Sequence, residues 1–447
     1  MPNDGRVHRV KRMPPRTRLP APHFRISRRV LDNELRVLLV PDRSAPVVGI
    51  TVLYDVGIRS EPQGRTGFAH LFEHLMFQGS RHVEKMAHAR YVQSSGGSFN
   101  GSTHIDYTEY HDALPSNALE RGLFLEADRM AGPQLTDDNL TNQIAVVKEE
   151  IRVNVMNRPY GGFPWLYLPG VMYETFPNAH NGYGDFVDLE AATRADASTF
   201  FRSYYAPSNA VLCVAGDLDL DETWEMVERH FGPLPARRTP RRPAFGEPRP
   251  EAERRGTVRD LHAPMPALAL GYRLPDSKGL GRTYLAHVLL AEVLADGDAS
   301  RLSRALVQGA GLVTEASAYV GEFGDPFEER DPVLMTISAF YPDPAARDRV
   351  VNGIDDEVQR VATDGLGVDE LDRVRTRLVA SLLRGLDATM DRAASLAKFE
   401  LVHGRAELVA EVPALLSAVT AADVVNAAAA LADQHRAVLD LVPGGDE

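Results

Sequence analysis

The segment 67–77 carries two histidines and a glutamate in the order H-x-x-E-H, formed by His70, Glu73 and His74. This order is the inverse of the H-E-x-x-H motif of zinc hydrolases. On a helix, side chains four residues apart lie one above the other, so both imidazoles reach one metal ion, and Glu73 lies in the same arc. The motif therefore predicts a helix with two nitrogen ligands for Zn²⁺ and a carboxylate that acts as a base toward water. The alternative is an amphipathic helix with two half-buried histidines, and a third ligand is needed to decide.

A second helix is predicted from Thr136 to Arg158, because Thr136 is a favourable N-cap residue and Pro159 follows the last residue. Its apolar face consists of Leu140, Ile144, Val147 and Ile151. Glu149 points away from that face and is expected in solvent, whereas Glu150 lies at its margin. A carboxylate at a packed margin needs a partner, since an unpaired buried charge is costly. Either a metal ion or an arginine satisfies Glu150, and the residues alone leave both open.

These two segments resemble the pitrilysin family of zinc peptidases, the inverzincins, and more closely its half-length members such as the catalytic subunit of mitochondrial processing peptidase. In that family the third zinc ligand is a glutamate in a Val-Val-x-x-Glu-like segment well beyond the second histidine. Glu150, the last residue of Val146–Glu150, stands at that position, 76 residues after His74. The other matching segments are Leu31–Val37, Gly57–Glu61, Phe77–Ser80 and Gly96–Thr103, with Asp106, Thr108 and Tyr110 beyond them.

The resemblance implies that His70, His74 and Glu150 hold Zn²⁺ and that Glu73 is the general base of peptide hydrolysis. Many relatives carry a second glutamate seven residues before the last ligand, where this chain has Gln143. Gln143 lies close to Glu150 on the predicted helix. We therefore expect it to support the ligands without adding a charge.

The segment Ser98–Thr103 is predicted to be a short polar strand that follows a turn at Gly96-Gly97. In the resembled family this strand lies at a sheet edge and pairs with the extended substrate, a mode that depends little on side-chain identity. The resemblance implies that Phe99, Asn100 and Gly101 bind the peptide, and Gly101 stands where relatives usually have alanine. An ordinary glycine-rich hairpin is the alternative.

The composition of the 447 residues is that of a globular protein, with 44% hydrophobic and 25% charged residues. A net charge of −13 argues against a general nucleic-acid binder. The single cysteine, Cys213, lies in an apolar run and is expected in a buried strand. No apolar run has the length of a membrane span, and no apolar leader is present at the N-terminus, so we expect a cytoplasmic protein without membrane contact.

The chain repeats short patterns in the same order. Gly64–His70 recurs at Gly281–His287, and Thr193-x-x-Asp196 recurs at Thr420-x-x-Asp423. This order indicates duplication of one unit and predicts an α+β fold of two homologous domains, each a mainly antiparallel sheet with helices on one face. The strands predicted for the first sheet are Leu35–Val40, Val47–Asp55, Ser98–Thr103, Thr108–Ala113 and Ala210–Ala215.

The domain prediction follows from this repeat and from composition. Residues 1–30 form a basic tail, 31–232 the zinc-binding domain, 233–255 a linker rich in proline and arginine, and 256–447 the second copy. The tail is read as loosely attached, with an organelle transit peptide as the alternative. The second copy has Leu290 and Ala291 where the first has Glu73 and His74, so it is expected to lack a metal and His287 is expected to be structural.

The second copy also departs from the resembled family in its substrate-binding pair. Relatives bind the substrate carbonyl with an arginine and a tyrosine in an Arg-x-x-x-Gly-Leu-x-Tyr segment. Here Val307 and Thr314 stand at those positions, with Arg301 and Arg304 as nearby substitutes if the register is shifted. We therefore expect a heterodimer with a homologous subunit that supplies the pair.

The sequence thus predicts a zinc-dependent metalloendopeptidase that cleaves extended peptides as the catalytic subunit of such a heterodimer. One alternative is a protein that binds zinc and peptides without hydrolysing them, either as a chaperone or as an assembly subunit of a larger complex. A hydrolase of small molecules is the third possibility.

Overall fold

The computed structural model describes residues 21–237, 242, 245–367 and 369–444, which form two sheets with helices around them. The first sheet contains β1 (Ser27–Val30), β2 (Arg36–Pro41), β3 (Val47–Tyr54), β4 (Ser98–Thr103), β5 (Thr108–Pro115) and β6 (Ala210–Gly216). The second contains β7 (Arg254–Asp260), β8 (Ala267–Arg273), β9 (Glu315–Val320), β10 (Leu334–Phe340) and β11 (Ala437–Pro443). The five strands predicted for the first sheet are all present, with ends that differ by at most two residues.

The two sheets have the same layout. The first has the order β1-β2-β6-β3-β5-β4 and the second the order β7-β11-β8-β10-β9. In each sheet one neighbouring pair is parallel, β2 with β6 and β7 with β11, and the other neighbours are antiparallel. Apart from the added strand β1, the second sheet therefore repeats the first, and the predicted α+β fold of two homologous domains is confirmed.

Nine helices belong to the described part of the first half and six to that of the second. The first nine are α1 (Phe68–Leu75), α2 (Ala87–Ser94), α3 (Leu119–Ala131), α4 (Asp137–Ile151), α5 (Leu168–Met172), α6 (Phe176–Ala179), α7 (Phe186–Glu190), α8 (Arg194–Tyr204) and α9 (Leu220–Phe231). The other six are α10 (Arg282–Ala295), α11 (Arg347–Asp364), α12 (Glu370–Gly385), α13 (Thr389–His403), α14 (Leu408–Ala418) and α15 (Ala421–Ala432).

Helix starts support the duplication. Thr193 and Asp196 form a capping box at the start of α8, and Thr420 and Asp423 form the same box at the start of α15. In each box the threonine hydroxyl accepts a hydrogen bond from the backbone amide of the aspartate, and the aspartate carboxylate accepts one from the backbone amide of the threonine. In both halves the capped helix leads directly to the strand of the parallel pair, β6 or β11.

Each sheet is covered on both faces, which the sequence did not predict. The helices of its own half cover one face, and an element of the other half covers the opposite face. Helix α13 of the second half packs across β3 and β6, and helix α5 of the first half packs across β7, β8 and β11. Leu38 and Cys213 of the first sheet consequently lie in one buried cluster with the core of the second half. The halves thus share part of their hydrophobic core.

The basic tail requires a correction, because Ser27–Val30 forms β1 rather than part of a loose tail. This strand pairs antiparallel with β2, and Arg28 donates to Glu400 at 2.8 Å and to Glu407 at 3.0 Å. These backbone and charge contacts explain why a segment of basic composition is ordered. The tail residues Arg6, Arg9, Lys11, Arg12, Arg16 and Arg18, and linker residues 238–241 and 243–244, lie outside the described part of the chain.

In the part of the chain that the structure describes, no single helix has the length and apolar character needed to cross a bilayer. Helices α14 and α15, bent by 89° to each other, meet that criterion as a pair. The cytoplasmic location stays a prediction.

We predict that a methyl group at Gly49 weakens the contact between the first sheet and α13. A Cβ atom at this buried strand position would lie 2.8 Å from the Cα atom of Met390. Since backbone cannot move aside cheaply, Gly49→Ala is expected to lower the free energy of unfolding by about 1–3 kcal/mol, measured by urea denaturation. Gly246→Ala is the control, because no atom lies within 4 Å of its Cβ position. Equal stability of the two variants would contradict the packing of α13 on this sheet.

Candidate metal centre

The start of helix α1 is fixed by a buried carboxylate. Glu61 accepts hydrogen bonds from the backbone amides of Gly67 at 2.8 Å and Ala69 at 2.7 Å, and His180 Nε2 lies 2.9 Å from it. Burial raises the pKa of Glu61, an effect that these hydrogen bonds oppose. Gly67 has φ 77° and its Cβ position lies 2.7 Å from the Cα atom of Gly184, so glycine is required there. The helix that carries the motif is thereby held at one end by two loops.

Three metal-ligating side chains meet on α1 and α4. His70 Nε2 and His74 Nε2 are 3.3 Å apart, which places both rings on one side of α1 as the i, i+4 spacing predicts. Glu150 of α4 has Oε1 3.6 Å from His70 Nε2 and Oε2 3.3 Å from His74 Nε2. The two histidines and the glutamate predicted as ligands are therefore brought together.

Their spacing fits a tetrahedral zinc ion. Ligands at about 2.0–2.2 Å from zinc in a tetrahedral arrangement stand roughly 3.3–3.6 Å from one another. The two imidazole nitrogens, and each nitrogen with its nearer oxygen of Glu150, have these separations. The donor set, two nitrogens and one carboxylate, is one that catalytic zinc sites use. The side chains remain 14%, 21% and 28% exposed, so a fourth position is open to solvent.

The surroundings favour the ligand forms of His70 and Glu150. Burial lowers the pKa of His70 to about 4, which keeps its imidazole neutral. A hydrogen bond with His74 is the main cause of a lowered pKa at Glu150, to which Tyr183 also donates at 3.1 Å. Burial lowers the pKa of His74, but its hydrogen bonds with Glu150, which accepts, and with Gln143, together with the nearby carboxylates, outweigh that effect. The net shift is upward, toward the protonated imidazole. Gln143, buried on α4, thus interacts with His74, a proposed ligand.

Glu73 lies beside the ligands and is held by the edge strand. Its Oε2 accepts a hydrogen bond of 2.7 Å from the hydroxyl of Thr103, the last residue of β4. Burial raises the pKa of Glu73, while the hydrogen bond from Thr103 opposes that shift. A Cβ atom at Gly101 would lie 3.1 Å from Glu73 Cγ and 3.1 Å from Phe77. Because glycine has no side chain, Glu73 is not crowded at this position.

The predicted edge strand is at the edge of the sheet, because β4 ends the strand order and pairs with β5 alone among the described strands. Asn100 is exposed on one face of β4. Phe99 points to the other face, where its ring packs 5.4 Å from Phe77 and 5.3 Å from His88. Of the three residues proposed to bind peptide, Asn100 is thus exposed and Gly101 lies beside Glu73. The ring of Phe99 packs beneath the strand and supports it.

A second group of potential ligands, His88, Asp112 and Glu126, lies beneath this strand and is fully buried. Arg129 forms an ion pair with Glu126 and stacks over the rings of Phe77 and Tyr110 at 4.8 and 4.4 Å. The arginine supplies the positive charge that the carboxylates need. We therefore interpret the group as an ion network that supports Phe77 rather than as a metal site.

Among the described residues of the second half, no group of potential ligands corresponds to the metal centre. That this half lacks a metal stays a prediction. His287 is buried on α10 and its Nδ1 lies 2.8 Å from the carbonyl of Thr283, which makes it structural. Val307 packs against the core, and the hydroxyl of Thr314 donates to the carbonyl of Phe340 at 3.2 Å. Arg301 is held by Glu370 with two bonds of 2.7 Å, so it does not replace the missing arginine; Arg304 is exposed.

Sequence reasoning missed several residues around the centre. The roles of Glu61 and His180 depend on contacts between distant segments and have no local pattern. Tyr183, which is half-buried, lies between Gly182 and Gly184, and glycine at these positions is a loop signal in the sequence. Trp165 and Phe323 also line the cavity next to Glu73, and no periodicity in the sequence identifies them.

Comparison with known proteins gives concordant matches. The family model described as "Insulinase (Peptidase family M16)" matches residues 36–160, and the model described as "Peptidase M16 inactive domain" matches residues 191–378. The zinc protease PqqE of Helicobacter pylori is 27% identical over 372 residues, which cover 83% of this chain and 82% of that protein. A protease structure from Helicobacter pylori has a TM-score of 0.84 at 25% identity and covers 94% of this chain and 100% of that one. Pitrilysin has a TM-score of 0.77 at 20% identity, covering 96% of this chain but 46% of its own.

We predict that Zn²⁺ stabilises the folded protein through Glu150. Zinc at about 100 times its dissociation constant is expected to add ~2.7 kcal/mol to the free energy of unfolding, measured as a rise in melting temperature. Glu150→Gln should lose this rise, because an amide is a poor zinc ligand. The matched control is Glu149→Gln, since Glu149 is the neighbouring residue with 64% of its side chain exposed. An undiminished rise in Glu150→Gln would exclude Glu150 as a ligand.

Proposed function

Because this chain belongs to the M16 family of peptidases, the family of pitrilysin, we propose that it is a zinc-dependent metalloendopeptidase that cleaves extended peptides. The observation that carries the proposal is the tetrahedral spacing of His70, His74 and Glu150 with Glu73 held beside them. Zinc hydrolases need these parts, three protein ligands with an open position and an adjacent base.

The mechanism assigns separate tasks to the residues of the site. When bound, zinc polarises the substrate carbonyl and lowers the pKa of water. Glu73 takes a proton from the attacking water through the carboxylate oxygen that Thr103 leaves free. As the carbon–nitrogen bond breaks, Glu73 delivers that proton to the leaving amine. Thr103 orients Glu73, because its hydroxyl is bonded to Oε2 at 2.7 Å.

Strand β4 is proposed to hold the substrate. An extended peptide that pairs with the outer edge of β4 would run past Glu73. Thr103 of this strand is hydrogen-bonded to Glu73, and Gly101 lies next to it. Main-chain hydrogen bonds supply affinity with little regard to sequence. Asn100, exposed on the same strand, is in reach of such a peptide, while Phe99 contributes through its backbone.

A heterodimer is proposed because this chain lacks one part of the machinery. Val307 and Thr314 cannot donate charged or phenolic hydrogen bonds to a developing oxyanion. The chain is also matched to half the length of pitrilysin. A second homologous subunit that carries an arginine and a tyrosine would complete the site across the cleft.

The alternative function is zinc-dependent peptide binding without hydrolysis, as a chaperone or an assembly subunit. The missing arginine and tyrosine favour it, since catalysis would be slow without them. The intact base Glu73 argues against it, because binding alone does not need a carboxylate beside the ligands. Zinc loading without turnover in the presence of the natural partner would identify this alternative.

We predict that Glu73→Gln retains stoichiometric zinc but lowers kcat by at least about 100-fold. General-base catalysis contributes roughly 10²–10⁴-fold, and an amide does not accept the proton. Zinc is measured by mass spectrometry of the metal and cleavage with fluorogenic unstructured peptides. Full activity in a zinc-loaded Glu73→Gln protein would exclude Glu73 as the base.

We predict that the purified chain alone binds zinc and cleaves peptides slowly, and that co-expression with its homologous partner raises kcat/KM by about 100-fold or more, as loss of one oxyanion donor typically costs roughly 10²–10³-fold. Light scattering would give the mass of the active species. Rapid cleavage by the isolated chain that disappears in Glu73→Gln would show that no partner is needed.

A further inference from the structure

The side chain of Tyr183 contacts two of the three proposed zinc ligands, one on each helix of the metal centre. Its hydroxyl donates to Oε1 of Glu150 on α4 at 3.1 Å. Its ring packs against that of His70 on α1, with 5.0 Å between the ring centres and 72° between the ring planes. Tyr183 therefore links α1 to α4 at the level of the ligands.

The orientation of His70 is set by ring packing. An imidazole that binds a metal through one nitrogen usually donates its other N–H to a carboxylate, a carbonyl or water. Nε2 of His70 faces His74, and among the described residues no group is hydrogen-bonded to the buried Nδ1. The rings of Tyr183 and His74, at 5.0 and 4.9 Å, are aromatic contacts that limit rotation of the His70 imidazole.

The orientation of Glu150 is set by hydrogen bonds. Oε2 lies 3.3 Å from His74 Nε2, whereas Oε1 accepts from Tyr183 and lies 3.6 Å from His70 Nε2. Asn154, four residues after Glu150, is a further hydrogen-bond partner of the tyrosine hydroxyl. The Glu150 side chain is 28% exposed, so its rotamers are free to exchange unless a partner selects one of them. The tyrosine selects the rotamer in which the carboxylate points at both imidazoles.

The loop that carries Tyr183 is fixed to the segment that precedes α1. Gly184 has φ 93°, and a Cβ atom there would lie 2.6 Å from the Cα atom of Gly67, the N-cap residue of α1. The backbone amide of Asp185 donates to the hydroxyl of Thr66 at 2.9 Å. The loop is thus held against the start of α1, and Tyr183 transmits that position to α4.

We propose that Tyr183 is a positioning residue of the zinc site, which holds Glu150 through its hydroxyl and His70 through its ring. The inference rests on the proposed function, in that it takes His70, His74 and Glu150 as the zinc ligands. In this role the Tyr183 hydroxyl acts on a metal ligand. The tyrosine that the chain lacks at Thr314 would instead act on the substrate carbonyl.

The test measures the zinc affinity of the full-length chain by competition with a chromophoric chelator. Tyr183→Phe keeps the ring and removes the hydroxyl, and it is expected to raise the dissociation constant for Zn²⁺ by about tenfold. Tyr183→Leu also removes the ring and should raise it by about 30–100-fold, within the range typical for loss of a group that orients a ligand. Should Tyr183→Leu fail to fold, Tyr183→Phe carries the test alone.

The matched control is Tyr160→Phe. Tyr160 is a half-buried tyrosine whose hydroxyl donates to the carbonyl of Met265, just before β8, at 2.9 Å. Its loss removes a hydroxyl bond of the same kind and should leave the zinc affinity unchanged. A purely structural role of Tyr183 predicts the same pattern for Tyr183→Phe, with a lower melting temperature of the metal-free protein and an unchanged zinc affinity. That result overturns the proposal.

Cleavage assays at saturating zinc complete the test. Saturating zinc should restore most of the activity of Tyr183→Phe, because the hydroxyl acts on zinc binding. An unchanged zinc affinity together with a lower kcat would place the hydroxyl on the substrate and overturn the positioning role, with the peptidase function intact. Weaker zinc binding by Tyr183→Phe in a chain that cleaves no peptide supports the positioning role, although the hydrolytic function fails. Zinc binding that is undiminished in Glu150→Gln overturns both proposals.

Discussion

The interaction on which the rest of the structure depends is the mutual covering of the two sheets. Exposure of an apolar sheet face to water is unfavourable, and each of these sheets has two apolar faces. Helix α13 covers the second face of the first sheet, and α5 does the same for the second sheet. Because the halves share this buried surface, the half that carries His70 and His74 depends for its rigidity on the other half.

A buried ion network fixes the halves next to the metal centre. Asp106 is fully buried and is bonded to Arg59 of the first half, at 3.3 Å, and to Arg242 of the linker, and its carboxylate accepts from the backbone of Arg330 at 2.6 Å. Burial raises the pKa of Asp106, but the three arginines lower the pKa by more. The net shift is downward, so the carboxylate stays charged. Removing one partner would leave an uncompensated buried charge, which is strongly destabilising. The positions of these residues relative to one another are therefore fixed. It lies at the base of the loop that presents Phe323, which links the position of that ring to the first half.

The parts of this structure that the sequence predicted are those with a local pattern. His70, Glu73 and His74 are close because four residues make slightly more than one helical turn, and the strands alternate or run apolar between turn residues. The third ligand needed the family resemblance, since the margin position of Glu150 suits an arginine equally well. Strand β1 was missed because Arg28 finds its acidic partners in α13 and beyond, nearly the whole chain away. The cap on α1 by Glu61 and the reciprocal packing of α5 and α13 depend on such distant contacts as well, which no spacing records.

The division of labour in this chain follows from where its functional groups are anchored. The three proposed ligands project from α1 and α4, which pack against each other in one helical layer, so a single half fixes them to within the tolerance of a zinc site. A group that stabilises negative charge on a substrate carbonyl must approach from the opposite side of the peptide. Strand β4 is proposed to hold the peptide against the ligand layer. Under that proposal this half-enzyme provides the metal ligands and the base, and the group that stabilises the oxyanion is proposed to come from a homologous subunit.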